Sequence, residues 1–173
     1  MVRRLLPLVL VLLLAAPAAA RPGPPGPQSG NPQNRSEHVK KGALHFERAF
    51  YELTPHKRDA EASRELDLAV GEFEAELREA PSSAEAHKYL GRIFTARKQF
   101  RQAARHYDEL SEIEPADVDA CVLSAVAWAD AGEFAEARER LLKAKGRTSD
   151  PVALAHLDEY LAKLDGRRPV PLP

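Results

Sequence analysis

Lys88 and Arg92 stand four residues apart. On a helix that spacing places two cations on one face, where they repel by a few tenths of a kcal/mol. Packing gives no reason for the pair, and its chemistry would be to hold a carboxylate. Other reactive residue types are present but scattered. The six histidines, His38, His45, His56, His87, His106 and His156, show no metal-ligand spacing, and there is no H-E-x-x-H, no cysteine pair and no Walker-type glycine loop. No nucleophile, base and oxyanion donor converge, so the chain reads as a non-enzyme with no cofactor and no metal. Cys121 is the only cysteine. It excludes an internal disulfide, a C-x-x-C-H haem site and a lipidated cysteine after a leader.

The elements that carry these residues are helical. Apolar residues recur at helix spacing and nowhere alternate with strand period, so the expectation is an all-α domain. At 173 residues with 44% hydrophobic content there is material for one modest core. The formal charge of −1 argues against nucleic acid or an anionic membrane surface as the main partner.

Residues 1–20 place Arg3 and Arg4 before LLPLVLVLLLAA and the small residues Ala18, Ala19 and Ala20, which is the order of a secretory signal. The apolar run is shorter than the ~20 residues that span a bilayer. The expectation is cleavage before Arg21, with an uncleaved anchor as the alternative and membrane association only in that case. Residues 21–35 are proline- and glycine-rich, and residues 166–173, GRRPVPLP, lack core-forming side chains, so both read as unpacked ends. An excess of arginine over lysine and the many alanines suit a GC-rich bacterial gene.

A shift of 34 residues aligns the chain with itself: Ala86 with Ala120, Gly91 with Ala125, Phe94 with Trp128, Ala103 with Ala137 and Tyr107 with Leu141. The opposite shift pairs Ala69 with Ala103, Phe73 with Tyr107 and Pro81 with Pro115. Such a period marks a solenoid of paired helices. Ser82 to Glu85 offers a capping box, Pro81 and Pro115 stop helices, and Asp150-Pro151 opens a last helix with a stripe of Leu154, Leu157, Leu161 and Leu164.

Residues 84–117 carry His87-x2-Leu90-Gly91-x2-Phe94, Ala103-x3-Tyr107 and Pro115, and this segment resembles the tetratricopeptide repeat. The resemblance implies an α-solenoid of about three helix-turn-helix units, 36–83, 84–117 and 118–151, with a capping helix at 150–165, the domain running over 36–165. It places Gly91 against the second helix of its unit near Ala103. The aromatic residues Phe46, Phe50, Phe73, Phe94, Phe100, Tyr107, Trp128 and Phe134 fall at core positions. The first helix of the first unit matches through Val39, Ala43, Phe46 and Phe50, with about fourteen extra residues before Leu66.

The resemblance also implies a concave groove, lined by the first helices, that takes a protein or peptide partner. Its candidate residues are Glu85, Lys88, Arg92, Asp119, Val122 and Val126, with Lys40, Leu44 and Arg48 added from the first unit. The expected function is a non-enzymatic exported adaptor in a cell envelope, periplasmic or extracellular. The alternatives are a membrane-anchored assembly factor and an accessory subunit of an envelope enzyme.

Overall fold

A computed structural model describes residues 36–166. The expectations for residues 1–20 and 21–35, and for all but the first residue of 166–173, lie outside the described residues. Seven α-helices follow one another: α1 (Glu37–Glu47), α2 (Asp59–Glu79), α3 (Ala84–Ala96), α4 (Phe100–Ile113), α5 (Val118–Asp130), α6 (Phe134–Arg147) and α7 (Pro151–Asp165). No strand occurs among the described residues. The helices pack as successive hairpins, α1 with α2, α3 with α4 and α5 with α6, and α7 closes the stack against α6.

The turn inside each hairpin is built the same way. Lys57 and Lys98 take φ of 58°, and Gly132 takes 83°. The next amide donates back five residues in each case, Arg58 to Leu53, Gln99 to Phe94 and Glu133 to Trp128. This is a Schellman closure around a left-handed residue.

The hairpins are pinned by one recurring contact. A Cβ built on Gly91 would lie 2.5 Å from the Tyr107 ring, and one built on Gly42 would lie 2.8 Å from the Phe73 ring. Ala125 and Leu141 fill the same two places in the third hairpin and are buried together. Gly91 therefore does face the second helix of its unit. What it makes room for is the ring one turn beyond Ala103, not a close backbone.

Gly42 also fixes the register of the first hairpin. Seven positions separate Gly91 from Lys98, but fifteen separate Gly42 from Lys57; on the return, nine separate Lys98 from Tyr107 and sixteen separate Lys57 from Phe73. Each helix is thus longer by seven residues, about two turns, which leaves its faces aligned at ~3.6 residues per turn. The eighth extra residue of the first helix is absorbed in a π-helical turn, Arg48–Leu53, followed by a 3-10 turn, Thr54–His56. The lengthened end has its own small core of Ala49, Leu53 and Ala62.

Helix starts follow local chemistry with one correction. Ser36 accepts from the Val39 amide, and Asp150 accepts from Val152 and Ala153 ahead of Pro151. The capping box does not form: α3 has Ser83 as its cap, without a side-chain bond. The third helical residue is then Ala86, which has no side-chain oxygen to return the bond.

The core is apolar and aromatic. Phe46, Phe73 and Tyr89 join α1, α2 and α3, with Phe73 and Tyr89 stacked 4.7 Å apart. Phe94 and Tyr107 are buried, while Phe50, Phe100, Trp128 and Phe134 are half-buried. In the α7 stripe Leu157, Leu161 and Leu164 are buried and Leu154 is half-buried. Asp108 on α4 ties three helices together, accepting from Ser124 (2.5 Å) and Trp128 (3.1 Å) on α5 and from Arg140 (2.6 Å) on α6. That bond, ahead of other contributions, raises the Arg140 pKa above its ordinary value.

Candidate partner-binding site

The first helices α1, α3, α5 and α7 line one side of the hairpin stack. At its α1–α3 end, Phe46 meets Tyr89 edge-on at 5.1 Å, and the Arg92 guanidinium lies 4.9 Å over the Phe46 ring. A cation on an aromatic face is stabilised by ~0.5–1 kcal/mol when exposed and more when desolvated. Arg92 is half-buried there, and Lys88 and Glu85, one and two turns earlier on α3, are also half-buried. Packing does supply part of the reason for Arg92, because its guanidinium covers the Phe46 ring.

The register set by Gly42 changes the first unit's contribution. Lys88 and Arg92 align with Val39 and Ala43, both buried. Lys40, Leu44 and Arg48 are displaced by one residue from the matching positions, the residue that the π-helical turn takes up. Arg48 instead pairs with Glu65 of α2 at 2.9 Å, and Leu44 is 65% exposed. The first unit's share of this side is the ring of Phe46.

At the other end α5 and α7 leave a shallow notch. Val118 and Val122 form one wall and Ala153 and Leu157 the other, with Asp119, His156 and Tyr160 at the rim. Val122 and Val126 are half-buried and Asp119 is exposed. Asp119 and Val122 thus share one feature with α7, while Arg92 belongs with α1. Sequence reasoning treated α7 only as a cap. Its second stripe, Ala153, His156, Leu157 and Tyr160 at helical spacing, is the signal that marks it as a wall of this notch.

Two histidines that looked scattered meet. His87 and His106 approach Nδ1 to Nδ1 at 3.1 Å, and His87 Nε2 lies 3.1 Å from the Pro81 carbonyl. A carbonyl only accepts, so His87 Nε2 carries a proton, and with His87 neutral His106 donates through Nδ1. Burial first, and then the neighbouring His87, lowers the His106 pKa to about 4. His106 also stacks on Phe94, with ring centroids 5.4 Å apart. His87 and Cys121, which occupy matching places one period apart, are both buried. No group of three or more histidine, cysteine or carboxylate residues suited to a metal occurs among the described residues.

A stack of helical hairpins with small-residue slots, Schellman turns and one side lined by first helices defines an α-solenoid of helix-turn-helix repeats. Residues 94–157 match the family model of the tetratricopeptide repeat. Among solved structures, the fold is similar to the TPR2B domain of yeast Sti1 in its complex with pHsp70. That likeness has 20% identity and a TM-score of 0.56 over 77% of this chain and 100% of that one. It is also similar to the N-terminal domain of stress-induced protein-1 from C. elegans, at 10% identity and a TM-score of 0.52 over 76% of this chain and 99% of that one. No curated protein matches in sequence. The tetratricopeptide repeat is thus matched in sequence over residues 94–157, and the helical-hairpin fold of the described residues is like that of the two solved domains.

Proposed function

We propose that this chain is a non-enzymatic adaptor that binds a peptide segment of a partner protein along the side lined by α1, α3, α5 and α7. The observation that carries the reading is the polarity of that side. A supported cation, Arg92 over Phe46 with Lys88 one turn away, stands at one end, and an apolar notch at Val122 stands at the other. The partner segment sets a carboxylate against Lys88 and Arg92 and an apolar side chain over Val122 and Val126. The yeast Sti1 domain of similar fold, solved in a complex with pHsp70, supports a protein ligand for this architecture.

The adaptor acts outside the cytoplasm, in a bacterial envelope or beyond it, a reading supported by the basic, apolar and small-residue order of residues 1–20. Affinity capture from fractionated envelope, with the captured protein identified, tests function and location together. Charge reversal at Lys88 and Arg92 abolishes capture and Val122→Asp weakens it, with folding checked by thermal unfolding. Folded variants that capture the same partner at wild-type strength overturn the assignment of this side.

A further inference from the structure

We infer that two copies of this chain pair through the outer face of α1, antiparallel about a two-fold axis at Leu44, with Lys41 of each copy against Glu47 of the other. Leu44 is the most exposed large apolar side chain among the described residues, and it stands at the centre of a symmetrical stripe. Lys40 and Lys41 lie four and three residues before it, Glu47 and Arg48 lie three and four after it, and all four are exposed. Glu37 and Tyr51, seven residues away in either direction, are exposed as well. Such intervals keep side chains on one face of a helix.

The repeat shows what this face is built to do. In the register set by Gly42 and Gly91, Lys40, Lys41 and Leu44 take the places of Tyr89, Leu90 and Ile93, which are at most 5% exposed. Tyr89 packs on Phe46 and Phe73 of the preceding hairpin, and Ile93 joins the same core. The outer face of α1 is thus the face on which a later hairpin meets its predecessor, and no helix precedes α1 among the described residues. A polar outer face suits the end of a solenoid. Solubility alone does not call for a leucine at its centre.

The charges select a second copy as the occupant. Glu37 lies 4.0 Å from Lys40 and Arg48 lies 2.9 Å from Glu65, whereas Lys41 and Glu47 belong to no ion pair among the described residues. An antiparallel two-fold opposes residues equidistant from Leu44, so these two unpaired charges of opposite sign meet, once on each side of the axis. Lys40 then faces Arg48, each already beside a carboxylate of its own chain, and Glu37 accepts from the Tyr51 hydroxyl. A parallel pairing would set every charge against its like. The dimer joins two stacks at their first hairpins and presents two partner-binding sides, which adds avidity for a bivalent partner. Its formation does not depend on what those sides bind.

Sedimentation equilibrium of the full chain, with no partner added, tests this. A contact between two single helices falls below the ~1,200 Å² of stable interfaces, so the dimer is expected at high protein concentration and is weakened by salt. Lys41→Glu and Glu47→Lys, each alone, make both symmetry-related pairs repulsive and are expected to weaken dimerisation roughly tenfold or more. An equimolar mixture of the two variants restores opposite charges on both sides of the axis, as does the double variant, and both are expected to dimerise like the wild type. Leu44→Asp places two like charges on the axis and is expected to abolish the dimer. Thermal unfolding confirms that each variant, altered only at exposed positions, is folded. A wild-type chain that stays monomeric at every concentration overturns the inference, as does association that either charge reversal leaves unchanged. Failure of the mixture to restore dimerisation also overturns it, because the two charges then do not meet across copies.

Discussion

Gly91→Ala tests the contact that pins each hairpin, and it separates helix propensity from packing. Propensity alone favours alanine by ~1 kcal/mol at an internal helix position. Packing opposes it: the new Cβ would lie 2.5 Å from Tyr107 Cε1, a distance real Cβ atoms essentially never show. The ring has little room to retreat, because Tyr107 is 3% exposed. Overpacking of this kind costs ~1–3 kcal/mol, so the expected net effect is a destabilisation of up to about 2 kcal/mol, despite the alanine tolerated at the matching Ala125. The third hairpin shows why: Ala125 faces Leu141, whose flexible side chain gives way where a ring cannot. The double variant Gly91→Ala with Tyr107→Leu copies that pair and should be more stable than the two single changes predict by addition, with a coupling of about 1 kcal/mol or more. Gly71→Ala is the control, since a Cβ there meets nothing within 4 Å; it should gain ~0.5–1 kcal/mol from propensity. Denaturant midpoints for the four variants decide the matter. If the Gly91 and Tyr107 changes add within ~0.5 kcal/mol, the two positions do not share a slot and the alignment of the three hairpins is wrong.

Two further outcomes follow from the buried polar groups. Asp108→Asn leaves Arg140, Ser124 and Trp128 with a neutral partner, and partial burial of the pair sets the expected loss at roughly 1–3 kcal/mol; a shift in Trp128 fluorescence should accompany it, since the indole N–H donates to the same carboxylate. His106 titrates at about 4 in the folded chain against 6.5 unfolded, so the unfolded chain binds the extra proton first. Stability is therefore fully present above pH 6.5 and is lost as pH falls toward 4, by on the order of 1–2 kcal/mol after allowance for solvent screening of a half-buried ring. Chemical denaturation at pH 7.5, 6.0 and 5.0 should show that loss in the wild type and a smaller one in His106→Gln, whereas equal pH slopes in the two proteins would exclude His106 as its source.

The second and third hairpins were legible because their signals are local and repeated. A 34-residue shift lays small residues on small residues and rings on rings, and Asp150-Pro151 marks a helix start without reference to anything distant. The first hairpin was legible only in part. Val39, Ala43 and Phe46 read correctly as buried, but an insertion of seven residues per helix preserves every periodic signal on either side of it. Nothing in the pattern tells fourteen extra residues from fifteen. The difference is one residue hidden in a π-helical turn, and it is enough to move Lys40, Leu44 and Arg48 off the face assigned to them.

The site was less legible than the fold for a related reason. Lys88 and Arg92 could be found as a pair because like charges at helical spacing call for an explanation. What supports Arg92 is a ring on another helix, 46 positions earlier in the chain, and what walls Val122 is a helix that by its leucine stripe reads as a cap. A residue's partner across a solenoid depends on the exact rotation of each helix, and that rotation is set by slots such as Gly42 with Phe73 and Gly91 with Tyr107. Those slots carry a design consequence for the whole side. Enlarging the small residue or shrinking the ring would alter how closely the two helices of a hairpin approach, and with it where the first helix presents its exposed residues. The pairing of small residue and ring is therefore what carries packing into the geometry of the binding side: with a glycine opposite a ring in the first two hairpins and an alanine opposite a leucine in the third, the cation end and the apolar end of that side are held by differently built slots.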